Sequence, residues 1–464
     1  MYTNLFLRKE IIMQFRRTLP KLAVTLLLSA ATVMGCETVK AGKPDTTNEI
    51  NFEKPVKLMA GGEIINVESG YSCPTIYDVD RDGKLDLVSG EFGGYFRVYK
   101  NVGSNESPRY AKHYLLEADG EVAKVPDVWC CIAATPQFVD LNGDGYCDII
   151  SGNYLNTKIH KDEDTGERVV YSDVHILYGT AIGKWSKPEV LMHRKGKPLG
   201  RVLMNLPDKK LEDKSNMGSN KDVYSIHPHA TDWDLDGDFD LLLGSAGGAL
   251  SLIENVGDRK NPVFSDVPIM VEAGGKMFRN ETSSNPFMID FDADGKRDIL
   301  VGDLYGNVFF LKNIGQDRNP SFEEAKKIVE SNYDPDYIVK ERGIPKAHGL
   351  KVKVFAGDYN GDGKVDIILG ETNIKKVFKS GITEGPDWDN NLFDELEKID
   401  AERKALYQEM NWKDKIQKVS DEEWKKFREG RVKELSDRQK ELRSEFANKT
   451  EDEKFALLWL YIRK

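Results

Sequence analysis

Short apolar runs recur along the chain, each closed by polar turn residues. Thr75-Ile76-Tyr77 and Leu85-Asp86-Leu87-Val88 flank one such polar stretch. Runs this short, rich in β-branched residues, read as strands and not as helices. A second phrase, Gly94-Tyr95-Phe96-Arg97-Val98-Tyr99-Lys100-Asn101-Val102-Gly103, aligns with residues 248–257 and 306–315. Alternating apolar positions running into Asn-x-Gly describe a strand entering a turn. A Pro-x-aromatic step follows at Pro108, Pro262 and Pro320, then a fourth strand that in several copies ends in a phrase like Ala273-Gly274-Gly275. Four short antiparallel strands in about 60 residues make a propeller blade. The predicted fold is all-β, a five-bladed β-propeller. The chain finishes on a third-strand phrase, Leu458 to Arg463, and opens near Phe52 and Leu58 on a fourth-strand phrase, so the N-terminal segment is expected to complete the last blade. A parallel solenoid is the alternative and explains those mismatched ends less well.

One stretch breaks the β pattern. Residues 376–453 are charged and periodic, with Ser420/Glu423 and Thr450/Glu453 as capping boxes and Trp424, Phe427, Leu435, Leu442 and Phe446 along one face. A helical hairpin inserted in the last blade is expected there, either a solvated decoration or a lid or partner-binding arm.

Between the first and second strands the same nine residues return five times, Asp-x-Asp/Asn-x-Asp-Gly-x-x-Asp. They are Asp78, Asp80, Asp82, Asp86; Asp140, Asn142, Asp144, Asp148; Asp232, Asp234, Asp236, Asp240; Asp290, Asp292, Asp294, Asp298; and Asp358, Asn360, Asp362, Asp366. Start-to-start spacings are 62, 92, 58 and 68 residues. Oxygen ligands at alternate positions, with a Gly at the sixth for the sharp turn, describe a Ca²⁺ loop. Position seven (Lys84, Tyr146, Asp238, Lys296, Lys364) would supply a backbone carbonyl, and the ninth Asp would complete the cage. Crowded carboxylates repel one another, and a divalent cation removes that conflict. Up to five Ca²⁺ are expected; metal-free Asx turns are the alternative. An EF-hand needs an acidic twelfth residue, whereas here it is Ser89, Ser151, Leu243, Val301 and Leu369, followed in each copy by a Gly (Gly90, Gly152, Gly244, Gly302, Gly370).

Composition adds limits. Of 464 residues 40% are hydrophobic, enough for a packed core, and the net charge of −11 disfavours a nucleic-acid binder. Arg16, Arg17 and Lys21 precede an uncharged run at 22–35, too short to span a bilayer, where about 20 residues are needed. Residues 1–35 read as a secretory signal. Its end, Val33-Met34-Gly35-Cys36, resembles the lipobox of bacterial lipoproteins, which implies acylation at Cys36, export, and attachment to the cell envelope through the lipid alone (the outer membrane in a diderm organism). A plain secretory signal leads out of the cytoplasm equally. Removing residues 1–35 brings the charge to −15. Cys73, Cys130, Cys131 and Cys147 remain for one or two disulfides, with connectivity open.

The five aspartate loops with their trailing Gly resemble the VCBS/FG-GAP repeats of bacterial surface proteins and integrin α-subunit propellers, over residues 50–375 plus 454–464. The resemblance implies a propeller whose repeat loops bind Ca²⁺ at the positions named above. In such a blade the metal loops and Asn-x-Gly turns share one face, and the irregular connections share the other. Those connections bring forward Trp129, Tyr154, His229 and Tyr305 as ligand contacts, and His227, His229 and Glu281 as acid–base groups. Three functions remain open: a glycan- or protein-binding module, a polysaccharide lyase or hydrolase, and a docking subunit that uses the hairpin. No nucleophile elbow, dinucleotide fingerprint or His-Glu-x-x-His is present, which favours binding.

Overall fold

The computed structural model describes residues 50–126, 133–153, 160–161, 168–169, 172–205, 225–280, 282–331, 343–379, 395, 398–399, 401–403, 405–411 and 418–464. The expected signal at 1–35, Cys36, Trp129, Cys130, Cys131, Tyr154 and Glu281 lie outside these residues.

The apolar runs form the second strand of each blade, and they are continuous because both faces are buried. Asp86–Glu91, Asp148–Gly152, Asp240–Gly244 and Asp298–Gly302 are buried throughout. Along the first, Leu87 packs toward blade five and Val88 toward blade two. Among the described residues, most of the core therefore lies in five apolar wedges, one between each pair of neighbouring blades.

Each blade is a four-stranded antiparallel sheet. Blade one runs Ser72–Tyr77, Asp86–Glu91, Phe96–Tyr99 and Tyr114–Leu115. Blades two, three and four begin at Thr135–Val139, His227–Thr231 and Asn285–Ile289. Blade five takes Leu350–Gly357, Asp366–Phe378 and Leu458–Tyr461 from the C-terminal part of the chain and Val56–Lys57 from the N-terminal part, with Val56 opposite Leu460. The expected ring closure is present, and it joins the two ends of the propeller by backbone hydrogen bonds.

The trailing glycines explain how closely the blades approach. A Cβ on Gly152 would lie 1.8 Å from the carbonyl oxygen of Ile226, and one on Gly244 would lie 2.4 Å from that of Ser284. In all five copies the obstructing atom is a backbone oxygen at the start of the next blade, with Ser72 serving Gly370 and so completing the circle. Only a residue without a side chain permits that contact.

Two local expectations change. The Gly-Gly phrases do not end the fourth strand but turn a separate two-stranded hairpin, as in Glu272–Ala273 with Lys276–Met277 around Gly274 and Gly275 (φ 62° and 71°). Helix α1 (Asp421–Glu429) starts on the expected Ser420/Glu423 capping box, and α2 (Arg431–Lys449) buries Val432, Leu435 and Leu442. Thr450/Glu453, however, is not a cap. Thr450–Phe455 is a strand paired with residues 373–378, an extension of the second strand of blade five. That extension has a row of backbone groups to satisfy, and pairing outweighs starting another helix. Among the described residues no helix is long and apolar enough to cross a membrane. Cys147 is disulfide-bonded and Cys73 is a buried free thiol.

Candidate functional site: five aspartate loops and the propeller axis

All five loops join the first and second strands of their blades. Their backbone is wound by their own side chains. In blade one the Asp78 carboxylate accepts from the N–H of Asp82 (3.1 Å) and of Gly83 (2.9 Å), while Asp82 accepts from the N–H of Lys84 (3.0 Å). Asp232 accepts from Asp236 and Gly237, Asp140 from Asp144 and Gly145, and Asp358 from Gly363 in the same way. The sixth-position glycines take φ from 84° to 101°, the left-handed turn that the motif requires.

Three loops gather three carboxylates whose ligand atoms lie within 4.8 Å of one another: Asp78/Asp80/Asp86, Asp232/Asp234/Asp236 and Asp290/Asp292/Asp294. Loops two and five have Asn142 and Asn360 at the third position, and an amide oxygen there is an equally hard but uncharged donor. Two buried carboxylate oxygens, Asp238 Oδ1 and Asp290 Oδ1, have no hydrogen-bond donor. Burial raises the pKa of Asp78, Asp232 and Asp290 above the ordinary carboxylate range despite the backbone N–H groups aimed at them. Burial, then repulsion from Asp236, Asp232 and Asp234, pushes Asp238 up to about 6. Desolvated, mutually repelling oxygens with unsatisfied lone pairs fit a hard divalent cation.

The ninth Asp has a second task that its spacing did not reveal. Asp298 is buried and accepts from the N–H of Phe291 in the loop (3.1 Å) and of Asn313 at the end of strand three (2.7 Å). Asp86, Asp148, Asp240 and Asp366 do the same with their own loops and strand-three ends. In three blades the Asn then brackets the next turn: Asn101 Oδ1 accepts from Gly103 and Arg109, Asn255 from Gly257 and Val263, and Asn313 from Gly315 and Ser321. The loop and the Asn-x-Gly turn are thus one hydrogen-bonded unit. Burial pushes Asp148, Asp240 and Asp298 up to about 7, and Asp86 and Asp366 to about 6.

The histidines expected on the irregular face lie elsewhere. His227 and His229 belong to the first strand of blade three and are buried, because the strand begins at His227 itself. His229 Nε2 accepts from the N–H of Met288 at 3.1 Å, and its ring lies 4.7 Å from that of Phe287. His227 Nε2 lies 2.9 Å from Ser225 Oγ and 3.1 Å from Lys353 Nζ. The two imidazoles thus have separate surroundings. Of the aromatic candidates, Tyr305 is 51% exposed beside the hairpin turn of blade four.

Lys353 was not singled out from the sequence, yet it marks the axis, since it reaches from blade five to His227 of blade three. Opposite the five trailing glycines, in the same register, stand Cys73, Thr135, His227, Asn285 and Lys353. Burial lowers Lys353 to about 7 and raises Cys73 to about 12.

Compared with known proteins, residues 290–369 match a family model described as an FG-GAP-like repeat, a span from the fourth aspartate loop to the second strand of blade five. No curated protein matches the chain.

Proposed function

We propose that this propeller of FG-GAP/VCBS repeats is a calcium-stabilised binding module that works outside the cytoplasm, tethered by a lipid on Cys36, and that its ligand is a glycan or a protein. The observation that carries the calcium reading is the set of convergent loop carboxylates together with the orphaned, buried oxygens of Asp238 and Asp290. Carboxylates at positions one and five, the Asp or Asn at three and the carbonyl at seven would hold the ion. The ion would neutralise charge that the fold has partly removed from water. Asp86, Asp148, Asp240, Asp298 and Asp366 couple each loop to the neighbouring turn, so metal binding would stiffen that whole face.

The face so stiffened repeats one loop motif in every blade, which suits scaffolding. The opposite face carries the unlike connections, the exposed Tyr305 and the α1–α2 insertion, and this is where a ligand would find chemistry found nowhere else on the disc. Export and anchoring rest on the basic-apolar-Cys pattern that ends at Cys36.

Metal analysis of the purified protein, with melting in calcium and in chelator, tests the first part; no bound Ca²⁺ and an unchanged melting temperature would remove it. A glycan array with the calcium-loaded protein tests the second, and silence across the array would leave a protein ligand. Loss of the protein from the membrane fraction on Cys36→Ser tests the anchor.

A further inference from the structure

The residue just before the Asn of the Asn-x-Gly turn changes sign around the ring, being Lys100, Glu254 and Lys312 in blades one, three and four, and the two lysines reach the metal loop of their own blade. In blade one the Lys100 ammonium is bonded to Asp80 and lies 3.1 Å from Asp82. In blade four Lys312 is bonded to Asp292 and lies 3.0 Å from Asp294, with the position-seven Lys296 3.9 Å from Asp294. These carboxylates are the third and fifth positions of their loops, two of the oxygens a divalent ion needs. The ammonium is covalently tethered beside them, so it competes at a high effective concentration.

Blade three is built the other way. Glu254 replaces the lysine, and position seven is Asp238, a residue 6% exposed whose buried Oδ1 has no donor. The arginines that reach this loop donate to its carbonyls: Arg318 to Asp234 and Leu235 (2.8 Å each) and Arg297 to Asp232 and Trp233.

We propose that Lys100 and Lys312 are built-in competitors for the calcium sites, so that the blade-three loop fills first and the loops of blades one and four fill only at higher Ca²⁺, as each ammonium is displaced. This rests on the calcium reading above and adds an order of filling to it. The propeller face would then stiffen in two stages, with the tight site holding the fold and the lysine-guarded sites responding to the calcium level outside the cell.

Trp233 is the second residue of the blade-three loop and sensitises Tb³⁺ bound there. The part of the luminescence lost in Trp233→Phe separates it from the signal of Trp185, which donates to the loop-two carbonyl of Cys147 (2.8 Å). The full chain is titrated with Ca²⁺ by calorimetry and with Tb³⁺ by tryptophan-excited luminescence. The expected result is two phases, with the Trp233 signal complete in the first. Lys100→Gln with Lys312→Gln should move the later phase tighter by roughly ten-fold, the scale of removing one partly exposed competing charge. Glu254→Lys should weaken the Trp233-reported site by a similar factor, and circular dichroism of each variant establishes that it is folded. A single uniform phase in the unaltered protein, or a titration unmoved by the paired lysine substitutions, would overturn the order of filling. No uptake of Ca²⁺ at all would instead overturn the calcium reading beneath it.

Discussion

Two rings of residues are carried by the same five-fold backbone, and they differ in kind. At the loop end every blade repeats Asp at positions one, five and nine and Gly at position six, and each ninth Asp takes two amide donors. At the axis the five register-equivalent residues are Cys73, Thr135, His227, Asn285 and Lys353, no two alike. Each loop is wound by hydrogen bonds within its own blade, so the same solution serves five times. The axis is one shared space. Five copies of any charged or bulky side chain there would repel or collide, so the positions fit one another: Lys353 to His227, Asn285 Oδ1 to the N–H of Val354 (2.8 Å), and Thr135 Oγ1 to the N–H of Gly152 (3.0 Å). Repetition of backbone and diversity of side chain follow from the same geometry.

The backbone contact common to both rings is the trailing glycine, and breaking it should have the largest effect. Gly152→Val places its Cβ against the Ile226 carbonyl, an atom fixed in the next blade. The expected cost is about 4 kcal/mol or more, seen as a large fall in melting temperature or loss of folded protein. Asp298→Ala comes next. It leaves the buried N–H groups of Phe291 and Asn313 without their acceptor, which should cost about 3 kcal/mol in urea unfolding. A loss well under 1 kcal/mol would mean that the ninth Asp acts only toward metal. The pH dependence has a definite sign. The ninth carboxyls have folded pKa values raised to between about 6 and 7, so their contribution is whole below the unfolded value and is lost as the pH rises through that range. In chelator, melting temperature should therefore fall between pH 5 and pH 8. Saturating Ca²⁺ favours the charged form and should flatten or reverse the slope.

Much of the loop ring was legible from the sequence because its signal is local. Nine residues of fixed spacing identify the turn, and the runs beside it identify strands one and two. The closure between Val56 and Leu460 was also legible, since a fourth-strand phrase stood at one end of the chain and a third-strand phrase at the other. The axis was not. His227 and His229 read as loop residues because a polar strand has no apolar alternation, although aligning Pro74, Pro136, Pro228 and Pro286 across the copies places His227 in the same column as Cys73. Thr450 and Glu453 matched a helix start locally, and the strand that claimed them lies more than seventy residues away, in the pairing of Phe378 with Thr450. Lys100 and Lys312 stood in plain view, in the column before two of the three Asn-x-Gly turns. Without distances, nothing tied that column to the aspartates.

The last expected effect comes from the axis, is at most ~1.4 kcal/mol for each pH unit, and separates the two rings by the direction of their titration. Lys353 is 2% exposed, 3.1 Å from His227 Nε2 and 5.6 Å from the Tyr71 ring centre. Burial lowers its pKa to about 7, and burial with the Lys353 charge holds His227 well below its usual range, so the imidazole beside the amine is neutral. The unfolded chain keeps the Lys353 proton up to about 10.5, whereas the folded protein sheds it above about 7. The unfolded state thus binds more protons in that window, and stability should rise with pH by up to ~1.4 kcal/mol per pH unit. Lys353→Met should abolish the rise while leaving the acid-side behaviour of the loop carboxyls untouched. Unfolding in Ca²⁺, with the loops held in their charged form, isolates this contribution. A slope above pH 7 that survives Lys353→Met would show that the axial amine is not its source, and would move the search back to the loop ring.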